Sequence, residues 1–183
     1  EAFSHEAGHT FGLQHDGRLS PVESYYQGHG TGAVGWGPIM GATYTRELSQ
    51  WSKGEYANAN QTEDDIAIIA GDANGFGFVT DEAGGTRTSA AVLNAPGGVV
   101  NQAGIITQSS DTDFYTFNVA AGRVTLNATP ATVGANLDLA LELQDAAGQV
   151  VATSNPDLAI DGSISVNVPV GTFFLRVRGT GRG

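Results

Sequence analysis

Leu137, Leu139, Leu141 and Leu143 alternate with Asp138, Ala140 and Glu142, and this period of two is the feature that most restricts how the chain can fold. A helix would scatter these leucines around its axis. A strand places all four on one face, so the run reads as a half-buried β-strand. Similar short runs lie at 113–119, 124–128, 149–153, 163–168 and 172–178, separated by turn signals such as Ala147-Gly148 and the Pro169–Gly171 segment. Several short strands at this spacing predict an antiparallel β-sandwich. There is no internal repeat and no low-complexity tract.

The first part of the chain carries other signals. His5 and His9 are four apart, and Ser52 with Glu55 and Thr62 with Asp65 both fit the capping-box spacing. Gly71 is placed to close a helix. This half is therefore predicted as helices joined by long loops, which makes the fold class α+β: a mainly helical part followed by an all-β antiparallel sandwich. The glycine-rich span 17–43 reads as a functional loop forming one wall of a cleft. The period changes after GDANGFGFVTDEAGG, and the boundary is placed near 84–89, giving domains at 1–84 and 88–183.

Composition excludes several classes of function. Eight Lys plus Arg stand against nineteen Asp plus Glu, a net charge of -11, which argues against nucleic acid or an anionic membrane as partner. The apolar run Ile66 to Ala70 is far short of the roughly 20 residues that cross a bilayer. With no cysteine, disulfides, thiolate metal sites and cysteine nucleophiles are excluded together. The chain opens with Glu1 and runs directly into helical signal, so it reads as a fragment, and any signal peptide or pro-segment would lie upstream. No feature of the sequence sets an oligomeric state.

The chemistry concentrates in HEAGHTFGLQHD, from His5 to Asp16. On a helix, His5 and His9 project from one face one turn apart, while Phe3, Ala7, Thr10 and Phe11 gather on the other, free to pack. Neutral imidazoles at this spacing suit zinc, and His15 can supply a third ligand while the fourth position stays open to water. Gly12 falls where the helix must stop, and glycine tolerates the left-handed turn that brings the chain back. Glu6 follows the first histidine, so its carboxylate points beside the metal. It is the candidate general base, taking a proton from water and returning it to the leaving amine. A bare HExxH also arises in structural helices; the added glycine, third histidine and downstream methionine set this pattern apart.

With these residues the chain resembles the metzincin zinc endopeptidases, and Asp16 after the third histidine is the reprolysin (adamalysin-like) variant. The resemblance implies that 1–84 is the C-terminal part of a catalytic domain. It also implies that Met40, in Pro38-Ile39-Met40-Gly41, is an apolar floor under the zinc; by itself Met40 reads equally as a core residue. The continuation GWGPIMGATYTRELSQWSKGEYANANQTEDD is similar to bacterial, cysteine-free members. Some relatives use a tyrosine two residues after the methionine; position 42 here is alanine, and Tyr44 is the nearest candidate. From about Thr88, DTDFYTFNVAAG, NLDLALELQDAAGQVV and VPVGTFFLRV resemble the bacterial pre-peptidase C-terminal (PPC) domain, a β-sandwich of secreted proteases, stopping here after one of its late strands.

Two stretches invite calcium. DANGFGFVTDE resembles a calcium loop, but Phe76 and Ala83 occupy positions where an EF-hand needs oxygen and glutamate. Asp111 and Asp113 are candidate calcium ligands in the sandwich, set against the plainer account of an acidic turn before a strand. His29 has no ligand-spaced partner, and the Glu63, Asp64, Asp65 cluster is accounted for by a helix dipole. The sequence thus predicts a secreted bacterial zinc endopeptidase acting on protein or peptide substrates, inactive as this fragment alone. The competing reading is a non-catalytic, zinc-holding adhesion or binding module, against which the retained Glu6 speaks.

Overall fold

Leu13, Ile39 and Met40, with Trp51, Ile68 and Ile69 against them, form the core of the first of two units in a computed structural model that describes residues 2–180. The first unit runs to Phe78 and also takes in Thr132–Asn136; the second comprises Val79–Ala131 and Leu137–Thr180. In the first unit α1 spans Ala2–Thr10. The strands β1, Arg18–Leu19, and β2, Val22–Glu23, pair antiparallel. Parallel to one another run β3, Trp36–Pro38, and β4, Leu48–Gln50, and α2 covers Asp65–Ala70.

The expectation of a mainly helical half is incorrect. The α-helices among the described residues have nine and six residues, and the rest of the first unit is short strands, turns and coil. The capping signals misled for a local reason. Ser52 does meet Glu55, with Oγ to Oε2 at 3.2 Å, but the Gly54 N–H donates to Ser52 Oγ and Gly54 takes a φ of +77°. The pair therefore closes a turn, and no helix follows. At α2 the cap is Asp64, whose Oδ1 accepts from the Ala67 N–H at 3.0 Å, in place of Thr62. The span 17–43 holds β1, β2, a 3₁₀ turn at Gly32–Val34 and β3.

The expected division of α1 also fails. Its buried residues are His5 and Gly8, while Phe3 is 88% exposed. The histidine-bearing side of the helix is thus also the side that packs. Gly8 makes this feasible: a β-carbon there would lie 2.5 Å from Met40 Sδ and 3.1 Å from the Trp51 ring, well inside van der Waals contact.

In the second unit β5 (Ala91–Val92), β6 (Thr112–Val119), β8 (Leu139–Asp145), β9 (Val150–Ser154) and β11 (Gly171–Gly179) form one sheet in the order β5-β6-β11-β8-β9. A separate pair joins β7, Gly122–Ala128, to β10, Gly162–Val168. All pairings in this unit are antiparallel except β5 with β6. Leu141, Leu143 and Leu175 of the larger sheet cluster with Ile164 and Val168 of the smaller, so alternate residues of both sheets meet in one core. A register shift between Leu143 and Gln144 interrupts the ladder to β9.

Candidate metal centre

The end of α1 brings the third histidine back. Gly12 adopts a φ of +96°; its N–H donates to the His9 carbonyl at 3.1 Å and the Leu13 N–H to the Gly8 carbonyl at 3.1 Å. This pair of bonds is a Schellman termination with glycine at the left-handed position. Leu13 is then buried at 1% exposure, anchoring the turn from which His15 emerges.

Ligand nitrogens of His5, His9 and His15 all lie within 4.8 Å of one another. His5 Nδ1 is 2.8 Å from the Ile39 carbonyl and His9 Nδ1 is 3.0 Å from the Leu13 carbonyl. A carbonyl only accepts, so each Nδ1 is the protonated donor and each Nε2 keeps its lone pair. His9 Nε2 lies 2.9 Å from His15 Nε2, a bond that needs the proton to be carried by His15. A divalent cation bound here would take the place of that proton, and its binding would release one. Three neutral imidazoles suit zinc. Burial, then the fields of His9 and His5, lower the His15 pKa against the opposing Glu6 carboxylate, which favours the neutral, ligating form at neutral pH.

Met40 is fully buried, its sulfur packed against Gly8 of α1 alongside the Trp51 ring, and its carbonyl accepts from the Asp16 N–H at 2.9 Å. Asp16 is itself 3% exposed. Tyr56 donates to Asp16 Oδ1 at 3.4 Å and to the Gly17 carbonyl at 2.8 Å, while Oδ2 has no partner among the described residues. Burial, followed by the Asp65 charge, pushes the Asp16 pKa up to about 7. Asp16 thus ties the segment that bears His15 to the chain at Met40 from inside the unit.

Glu6 is exposed on α1, one residue after His5. Tyr44 is 70% exposed and is not among the rings that contact the histidines. Tyr25 is: its centroid lies 4.5 Å from that of His15 and 6.4 Å from that of His5. No spacing rule in the sequence pointed to Tyr25. His29 stays apart from the triad, its Nδ1 2.9 Å from the Tyr26 hydroxyl.

A second group lies in the other unit. Carboxylate oxygens of Asp81, Asp111 and Asp113 come within 4.8 Å of one another. Asp113 is 2% exposed, and its Oδ1 has no hydrogen-bond partner among the described residues; Oδ2 accepts from Tyr115 at 3.4 Å. Burial, then Glu82, Asp111 and Asp81, push its pKa up to about 7. Of the rest of DANGFGFVTDE, Glu82 accepts from the Tyr115 hydroxyl beside Asp113 at 3.1 Å, while Asn74 donates to the Ile68 carbonyl at the end of α2.

Residues 111–179, covering β6 to β11, match the bacterial pre-peptidase C-terminal domain family. Domains of this kind occur in secreted bacterial proteins. No curated protein sequence matches the chain. Among the described residues no helix is long and apolar enough to cross a membrane.

Proposed function

We propose that this chain is part of a secreted, zinc-dependent endopeptidase of the reprolysin-like metzincin type. The observation that carries this reading is the convergence of the three imidazoles, two with Nε2 freed toward a common point by Nδ1–H bonds to backbone carbonyls, beside an exposed glutamate on the same helix. Zinc held by His5, His9 and His15 would supply an acidified water, of pKa about 7, and a Lewis acid for a peptide carbonyl. Glu6 takes the water's proton as its oxygen bonds to the carbonyl carbon, and delivers that proton to the amine nitrogen as the C–N bond breaks. Met40 packs beneath the ligand helix, and Gly12 and Asp16 set the path of the chain that bears His15. The PPC match in the second unit supports a secreted setting. A non-catalytic zinc-holding adhesion module is the alternative, and Glu6 separates the two.

The test measures zinc content and hydrolysis of a quenched peptide library by the full-length protein and by its Glu6→Gln variant. Stoichiometric zinc with cleavage abolished in the variant is the expected result. Zinc without cleavage in the wild type would leave the binding module as the better account, and equal cleavage by Glu6→Gln would remove Glu6 from the mechanism.

The buried, unpartnered Asp113 Oδ1 favours a second role, calcium held by Asp81, Asp111 and Asp113, since a hard cation both pairs this oxygen and offsets three adjacent carboxylates.

A further inference from the structure

The three imidazoles are not held alike. His5 and His9 are keyed by Nδ1–H bonds to backbone carbonyls; the His15 Nδ1 has no protein partner among the described residues, and its ring packs instead against Tyr25, 4.5 Å between centroids at 50°. The backbone beside Tyr25 is fixed on both sides. The Tyr26 N–H donates to the Asp16 carbonyl at 2.7 Å, and the Tyr26 carbonyl accepts from the Ala42 N–H at 2.9 Å. Tyr26 turns inward at 5% exposure and stacks on Tyr56, 4.2 Å between centroids. Tyr25 sits in the bend that follows β2, and with Tyr26 turned inward its own ring, 44% exposed, lies against His15.

We infer that Tyr25 is the positioning residue of the third ligand: where carbonyls fix His5 and His9 through hydrogen bonds, packing of the Tyr25 ring holds the orientation of the His15 imidazole. The inference rests on the zinc reading above. Because the contact is ring against ring, the aromatic face carries the effect and the hydroxyl does not. Loss of an outer partner of a ligating histidine commonly weakens metal affinity about 10–100-fold.

Zinc affinity of the full chain, measured by competition with a chromogenic chelator, tests this with zinc alone as probe. Tyr25→Ala is expected to bind about 10–100-fold more weakly, and Tyr25→Phe within about threefold of wild type, since the ring is retained. In a His15→Ala background, Tyr25→Ala should change affinity by less than about threefold, because the two residues act through one ligand. Unchanged affinity in Tyr25→Ala, an equal loss in Tyr25→Phe, or a full additional loss in the His15→Ala background would each overturn the assignment; the last would mark a general structural effect. A wild-type chain that binds no zinc would overturn the zinc reading and Tyr25 with it, whereas zinc binding insensitive to Tyr25 would remove Tyr25 alone.

Discussion

Replacing Met40 by alanine removes a fully buried side chain of the first unit. Met40 is 0% exposed, and the buried residues clustered with it are Leu13 and Ile39. Large-to-small substitutions at such positions cost about 2–5 kcal/mol, and the value depends on how far the surroundings close in. Here they close poorly: Gly8, facing the sulfur, has no side chain to move into the space, and Trp51 is held against the same helix. The expected loss is therefore in the middle of that range, about 3–4 kcal/mol, while Met40→Leu, which nearly conserves volume, should lose less than about 1.5 kcal/mol. Urea unfolding followed by tryptophan fluorescence isolates the effect, because both tryptophans, Trp36 and Trp51, belong to the first unit. The measurement is made with chelator present, so that packing is read apart from metal. Zinc affinity of the alanine variant should fall as well, since the Ile39 carbonyl that orients His5 adjoins the vacated space. A loss below about 1 kcal/mol would refute the packing described.

Three further outcomes are expected. Gly12→Ala meets no neighbouring atom within 4 Å but is forced to a φ of +96°, so it should lower stability by about 1–2 kcal/mol, with Gly12→Asn milder, in the same urea assay. Asp65 is 2% exposed and has its pKa raised to about 6 by burial, with the Glu63, Asp64 and Glu55 charges adding to this and the Ser52 N–H bond opposing it. A carboxyl whose folded pKa is raised favours the folded state most below its ordinary pKa near 3.8, and that contribution is lost as pH rises through about 6. Asp65→Asn should therefore be more stable than wild type at pH 7, with the difference shrinking toward pH 4.5; a pH-independent difference would contradict the assignment. Calcium should raise the melting temperature of the second unit and fail to do so in Asp113→Asn, which should itself be the more stable protein in chelator because it no longer buries that charge. A calcium response that survives Asp113→Asn would exclude Asp113 as a ligand.

Local chemistry made part of this protein legible before any coordinates. Helical spacing alone places His5 and His9 one turn apart on one face, and the left-handed residue ending α1 needs glycine, so Gly12 marks the turn within five residues of chain. Alternation marks the β8 leucines for the same reason: a two-residue period is a property of the strand itself. The helical expectation failed because a capping pair such as Ser52 and Glu55 satisfies a turn as readily as a helix start, and Gly54 between them decided for the turn. What only the tertiary structure decided lies between distant segments. The Ile39 and Leu13 carbonyls choose the imidazole tautomers, Gly8 admits Met40 and Trp51, and Asp81 joins Asp111 and Asp113. Tyr25, and not Tyr44, meets His15 because the backbone of Tyr26 is tied to Asp16 and Ala42, pairings that hydrophobic pattern and spacing along the chain do not encode.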